Sequence, residues 1–331
     1  MKALVTGADG FVGRWLVPHL EASGDAVWQA VGSHAPETRR RRRLELMDAN
    51  NVEEVVRWAR PDAIYHLAAV AYGPDASTDM RSALDVTVRG TAYVLEAAAR
   101  MHSAPTVLIP SSSEVYGDVS TRPVREDRAT APVTLYGATK LAQEVLGLAY
   151  HRAGRLPVAV ARAFNHIGPG QRTAFVVAAF ASQLAAIRNG AAAEPVVRVG
   201  NLGAARDFTD VRDVVRAYRL LVASGAAGEP YNVASGRAVR IGAILERLIQ
   251  MSQLSVEVVV DRERFRPIDV PVMRGSAARL RKRTGWRPEV PLRSTLRDVW
   301  GDALQREADA SLSEPRAGSA KVLNGSMQPP P

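Results

Sequence analysis

Short apolar runs punctuate the first half of the chain: "KALVTG", "AVWQAVG", "LELMD", "DAIYHLAA", "TVLIPSSS" and "PVAVARAF". Between them lie stretches such as "VEEVVRWAR" and "GTAYVLEAAAR", whose apolar residues return every three or four positions. Runs of the first kind read as buried strands and stretches of the second as helices with one apolar face. Alternation of the two predicts a parallel sheet covered on both sides, because each parallel crossover carries a helix over a sheet face. The expected fold class is therefore α/β, a doubly wound parallel sheet, over residues 1–167.

Beyond residue 167 the rhythm loosens. "GPGQRT" reads as a loop, "FVVAAFASQLAAIRNG" and "DVVRAYRLLVASG" as helices, and "PVVRVG" as a strand. "YNVASG", "IGAILERLIQM" and "VEVVV" then alternate again before a final helix near "LRSTLRDVWGDAL". This pattern predicts a smaller C-terminal α/β substrate lobe over residues 168–305, with some chain returning to the sheet. Residues 306–331 end in a Ser, Gly and Pro-rich stretch without periodicity and are expected to form a disordered tail.

Composition narrows the chemistry. The 331 residues contain no cysteine, which excludes disulfides, thiolate metal sites and cysteine nucleophiles. No apolar run is long enough for a membrane span or a signal segment, so a cytoplasmic location is expected. A net charge of +9 favours anionic partners. The densest basic run, Arg39 to Arg43, has no interleaved aromatics and reads as a solvated loop. With no recognition motif beside it, nucleic acid is not an expected partner. Asp207, Asp210 and Asp213 recur at three-residue intervals, but acids at the start of "DVVRAYRLL" suit a helix N-terminus, and no metal is expected.

Gly7, Gly10 and Gly13 follow the first strand and open a helix, with Phe11 and Val12 between the last two. Glycines there allow a tight turn and let backbone approach a pyrophosphate at the positive end of the helix. In such folds an acid ending strand two bonds a ribose 2′-hydroxyl, whereas a basic residue accommodates a 2′-phosphate. Here "VGSHAPETRR" offers no acid at Gly32, Ser33 or His34, and arginines follow. NADP is the expected cofactor, with Ser33 and Arg39 or Arg40 near the phosphate. Further on, Tyr136 and Lys140 stand one helical turn apart in "LYGATKLAQE", so phenol and ammonium share a face.

In order along the chain, "TGADGFVG", "HLAA" (His66 to Ala69), "SSSEVYG" (Ser111 to Gly117) and "YGATK" (Tyr136 to Lys140) resemble the extended short-chain dehydrogenase/reductase family, in its nucleotide-sugar branch. The resemblance covers roughly residues 1 to 305. It implies a Rossmann-type sheet and a homodimer, with Tyr136 exchanging a proton with the sugar oxygen, Ser112 holding that oxygen and Lys140 binding the nicotinamide ribose. Leu67, Ala68 and Ala69 would line the cofactor, and Glu45 with Leu46 would meet the adenine side. A nearby ammonium is expected to lower the phenol from its usual value of about 10, and together with a cationic nicotinamide to bring it into useful range. The residue where the family has Asn is Thr87, which is expected to weaken a hydrogen bond to the active-site helix.

"RAFNHIGPGQ", "RDFTDVRDVVRAY", "NVASG" and "RPIDVP" are similar to GDP-6-deoxy-mannose reductases and their relatives, the GDP-mannose 4,6-dehydratases. That likeness implies a GDP-linked sugar, with Asn165 at the sugar phosphate, Arg206 and Arg266 at the diphosphate and Asp269 at the nucleotide ribose. Glu114 stands where dehydratases place an extra acid, and it could equally bond local backbone. Against the dehydratase, the first turn reads Gly10-Phe11-Val12-Gly13, and "GPGQRTAFVV" runs straight into a helix. NADPH-dependent reduction at sugar carbon four is the favoured expectation; dehydratase, epimerase and non-catalytic nucleotide sensor are the alternatives.

Overall fold

The computed structural model describes residues 1–32, 35–70, 79–119, 122–265 and 269–313. Strands β1 (Lys2–Thr6), β2 (Ala26–Val31), β3 (Arg41–Arg43), β4 (Ala63–His66), β5 (Thr106–Ser112) and β6 (Val158–Ala163) come from the first half of the chain. Together with β10 (Pro230–Val233) they pair in parallel, in the order β10-β6-β5-β4-β1-β2-β3. Because side chains alternate across a strand, Ala3 and Val5 enter one core layer and Leu4 the other. The first layer meets helices α1 (Phe11–Ala22) and α7 (Val211–Ala223), and the second meets α2 (Ala49–Ala59) and α4 (Gly90–Ala99). Burial on both faces explains why these strands are apolar without interruption.

The arginine run is a loop only in part: Arg39 and Arg40 lie in an exposed turn. Arg41–Arg43 form the edge strand β3, pairing with Gln29 to Val31, while "LELMD" turns away toward α2. The ladder needs only backbone, and the guanidinium of Arg40 covers the Trp28 ring at 5.2 Å as that of Arg42 covers Trp58 at 4.7 Å. Leu44 and Leu46 drop into the core from the turn.

The lobe gathers β9 (Ala205–Asp210) between β11 (Ala238–Arg240) and β13 (Val272–Met273), with β7 (Asn165–Ile167) also pairing β9. A separate pair joins β8 (Val196–Val199) to β12 (Glu257–Val260). Helices α6 (Val176–Arg188), α8 (Ile241–Ser252) and α10 (Leu292–Ser313) enclose a core including Leu184, Phe208, Leu248 and Trp300. Helix α10 continues through Ser313, so the expected tail boundary at residue 306 falls inside a helix; residues 314–331 lie outside the described residues. The chain after β9 re-enters the large sheet through α7 and β10. Among the described residues no helix is long and apolar enough to cross a membrane.

The spaced aspartates knit this return together. Asp210 caps α7 through the N–H of Arg212 and accepts from Thr295. Asp213 accepts the N–H groups of Glu289 and Val290, both at 2.9 Å. Asp207 accepts those of Ser235, Gly236 and Gly275.

A buried ion pair ties helix α5 (Leu135–Arg152) to the sheet. Glu144 on α5 faces Arg162 on β6, and their side chains are 2% and 6% exposed. Glu144 also accepts from Ser111 at 2.9 Å, and Arg162 donates to the Tyr116 hydroxyl at 2.9 Å. Tyr116 in turn donates to Asn232 on β10 at 2.7 Å. Removing one partner of such a pair strands the other charge, so Glu144→Ala is expected to destabilise the fold by about 3–5 kcal/mol, read by denaturant unfolding.

Candidate active site

The sheet's strand order reverses between β1 and β4, and a cavity of about 710 Å³ opens above their carboxyl ends. Doubly wound sheets bind ligands at this switch point. Gly7, Gly10, Phe11, Val12 and Gly13 line it, as do Leu67, Ala68 and Ala69. Gly7 sits at φ +66°, and a Cβ there would meet the Ala68 nitrogen at 2.9 Å. A Cβ on Gly13 would lie 2.4 Å from the Gly7 carbonyl oxygen. Only glycine permits this turn, which leaves bare backbone at the N-terminus of α1, a cradle that fits a dinucleotide pyrophosphate.

Not every cofactor residue expected from the sequence reaches the cavity. Ser33 lies outside the described residues. Arg39 and Arg40 are not among the lining residues: both lie in the exposed turn before β3, and Arg40 covers Trp28. Glu45 and Leu46 are also absent from the lining: Leu46 is buried, and a Cβ on Gly90 would meet its side chain at 2.6 Å. Asp9, which sequence reasoning missed, does line the cavity, and its carboxylate accepts the N–H of Gly32 at 3.2 Å. Its place inside the glycine turn was the available signal.

Ser112, Tyr136, Lys140 and Glu114 meet on the cavity wall. Ser112 ends β5, and Glu114 follows in a 3-10 turn, Ser113–Tyr116. Helix α5 begins against that turn. Thr134 caps it by accepting the Gly137 N–H at 3.0 Å, while its hydroxyl donates to Glu114 at 2.6 Å. A Cβ on Gly137 would sit 2.6 Å from the Glu114 carbonyl oxygen, so glycine lets α5 approach closely enough to bring Tyr136 beside Ser112. Glu114 is thus bonded by a side-chain hydroxyl and faces the cavity, where the sequence left local backbone open as its partner.

The electrostatics run opposite to expectation at the phenol. Burial raises the Tyr136 hydroxyl well above its ordinary value, Glu114 and Tyr218 add to the rise, and Ser112 opposes it. Lys140 does not provide the expected lowering, because its ammonium turns to Gln143 Oε1 at 2.7 Å. Burial itself pushes Lys140 down to about 7. Tyr218 on α7 also lines the cavity, another contributor the sequence did not mark.

The Thr87 hydroxyl accepts the Val70 N–H at 3.3 Å and, among the described residues, makes no hydrogen bond to α5. Residues Asp85–Arg89 form a π turn after α3 (Met80–Leu84), and the Thr87 carbonyl accepts from the Thr91 hydroxyl at 2.6 Å. Thr91 in turn accepts from Gln143 on α5 at 2.8 Å. A link to α5 thus runs through the backbone at position 87, while the buried side chain is engaged elsewhere.

On the lobe side, Asn165, His166, Gln171, Arg206 and Asp269 line the same cavity. His166 stacks on Phe11 with ring centroids 6.1 Å apart, and burial lowers its basicity. Arg206 and Asp269 form an ion pair, and Asn201 donates to Asp269 at 2.7 Å. Arg266 lies outside the described residues.

Carrying a charged lysine 5% exposed opposes folding. In the folded chain the proton leaves near 7, and in the unfolded chain near the ordinary 10.5. Below about 7 the penalty is complete, between 7 and 10.5 it shrinks as the folded lysine sheds its proton, and above 10.5 it is gone. Lys140→Met is therefore expected to raise Tm most at acidic and neutral pH, with the gain narrowing as pH rises, which calorimetry across that range would read.

A family model described as GDP-mannose 4,6 dehydratase matches residues 4–299. GDP-6-deoxy-D-mannose reductase of Pseudomonas aeruginosa is 36% identical over 304 residues, 91% of this chain and 96% of that protein. GDP-6-deoxy-D-talose 4-dehydrogenase of Aggregatibacter actinomycetemcomitans is 28% identical, over 85% of this chain and 90% of that one. Among solved structures, RMD from Pseudomonas aeruginosa complexed with NADPH superposes with a TM-score of 0.82 at 35% identity, covering 92% of this chain and 100% of that one. With its parallel sheet, glycine cradle and clustered serine, tyrosine and lysine, the chain belongs to the GDP-mannose 4,6-dehydratase family of nucleotide-sugar enzymes.

Proposed function

We propose that this protein reduces the C4 ketone of GDP-4-dehydro-6-deoxy-mannose with NADPH, giving a GDP-6-deoxyhexose and NADP. The observation that carries the reading is the near full-length likeness to a GDP-6-deoxy-D-mannose reductase. The convergence of Ser112, Tyr136 and Lys140 on one cavity wall supports it. So does the solved likeness to RMD with NADPH bound.

The cofactor, when bound along the glycine cradle, supplies the hydride that C4 receives. Tyr136 gives its proton to the sugar oxygen as the carbon–oxygen double bond becomes single, and Ser112 donates a hydrogen bond to the negative charge developing there. Lys140, as the ammonium, holds a ribose hydroxyl. Asn165, Arg206 and Asp269 hold the sugar diphosphate and nucleotide ribose, Arg206 by opening its pair with Asp269 toward the ligand. Arg266 joins them in this reading. The lining of cofactor by Phe11, Val12 and Leu67 to Ala69 excludes water from the hydride path. We place the enzyme in the cytoplasm as a homodimer through α5, on which Leu135 and Val145 are exposed.

Glu114 favours a second reading, 4,6-dehydration of GDP-mannose. Its carboxylate faces the cavity beside Tyr136 and is fixed by Thr134, so it could take the proton from sugar carbon five. NADPH absorbance followed with the keto sugar, and separately with GDP-mannose, distinguishes the two. The expected outcome is oxidation with the keto sugar alone; keto-sugar formation from GDP-mannose without net cofactor use would establish the dehydratase instead. Tyr136→Phe is expected to lower kcat by about 10²–10⁴-fold with the fold intact by circular dichroism.

A further inference from the structure

Beneath Lys140 runs a chain of buried polar groups that no step above uses. Lys140 donates to Gln143 Oε1, and Gln143 Nε2 donates to Thr91 Oγ1 at 2.8 Å. His66 Nε2 lies 3.0 Å from the same Thr91 oxygen, and His66 Nδ1 lies 2.9 Å from Thr6 Oγ1. Thr6 accepts the Ala68 N–H at 3.2 Å, at the edge of the glycine turn. Gln143 and Thr91 are fully buried, and Thr6 and His66 are nearly so.

Counting protons fixes the direction of every bond. The single hydroxyl proton of Thr91 goes to the Thr87 carbonyl. Thr91 can therefore only accept from its other neighbours, so His66 carries its proton on Nε2 and Gln143 must offer its NH₂. His66 Nδ1 is then the acceptor for the Thr6 hydroxyl, consistent with an imidazole that burial, with Lys140 nearby, holds neutral down to about 3. With its NH₂ committed to Thr91, the amide has one orientation left, oxygen toward Lys140. That orientation is set from the far end of the chain and does not depend on the charge of the lysine.

We propose that Gln143 is a positioning residue: locked by Thr91, His66 and Thr6, it presents a fixed acceptor to Lys140 Nζ and so keeps this lysine charged and in place at the cavity wall. A buried ammonium without an acceptor gives up its proton more readily, and the amide oxygen opposes that loss. Lys140 acts on His66 from β4, Glu114 and Tyr218 act on the phenol of Tyr136, and Glu144, one turn further along α5, is paired with Arg162. His66 is neutral throughout the working range, which leaves the amide as the chain's influence on the lysine.

The inference rests on the reading of Lys140 as a working ammonium, and its test needs no substrate. The sequence has four lysines, Lys2, Lys140, Lys282 and Lys321. In a full-length K2R/K282R/K321R protein carrying ε-¹³C lysine, Lys140 gives the sole side-chain lysine signal, and NMR reads its titration directly. With Gln143 present the midpoint is expected near about 7. Gln143→Leu should lower it by a pH unit or more, and Gln143→Glu should raise it by as much. Where Gln143→Leu does not fold, Thr91→Val, nearly isosteric, frees the amide and should lower the midpoint in the same sense. In the reductase assay the alkaline limb of the kcat profile should move with these midpoints. Coincident midpoints in all folded variants would overturn the inference; shifted midpoints in a protein that does not reduce the keto sugar would uphold it and remove the proposed function instead.

Discussion

The ion pair between Glu144 and Arg162 is the constraint on which the site depends. It lies where α5 crosses β5 and β6, and neighbouring polar groups satisfy it: Ser111, the Glu126 carbonyl, Tyr116 and, through Tyr116, Asn232. Two charges taken out of water are tolerable only when their remaining lone pairs and protons find partners. The arrangement fixes the rotation of α5 about its axis, because Glu144 must face β6. Lys140, one turn earlier, then faces the cavity side, and Tyr136 a turn earlier still. The strand β10 that carries Asn232 follows much of the lobe in the chain, so the same network ties the two halves of the chain together.

The site sets two demands against each other. Burial makes the phenol harder to ionise and the ammonium harder to keep, so the uncharged forms of both Tyr136 and Lys140 are favoured. Proton delivery wants the reverse for the lysine. Beneath the site the ammonium meets a neutral amide oxygen, that of Gln143, and not a carboxylate.

Much of this was legible in the chain. Gly7, Gly10 and Gly13, the strand and helix rhythm, and the Tyr136 to Lys140 spacing are local patterns, and local patterns survive in sequence. The errors have physical sources. Arg41–Arg43 join the sheet because an edge ladder asks only for backbone and because Trp28 and Trp58 lie within reach, which no periodicity reports. The lowering of the phenol by Lys140 presumed that neighbours on one face must interact, whereas Gln143 captures the ammonium. The chain through Thr6, His66 and Thr91 joins residues 60 and 25 positions apart, and each alone reads as an ordinary buried polar residue. Helix α10 runs past residue 306 into "SLS", where composition resembles linker.

The arginines of β3 carry one more consequence. A sheet of seven parallel strands ends in two margins, and a bare margin is a template on which another molecule's strand could add; at β3 the outward backbone groups are already taken, Arg41 exchanging both its bonds with Thr38 and the Arg43 N–H donating to Glu37. At this margin any incoming strand would have to approach a row of consecutive cations, a copy of the protein most of all, since it would bring the same row. Like charge along the rim adds to that backbone capping as a second obstacle to an incoming strand.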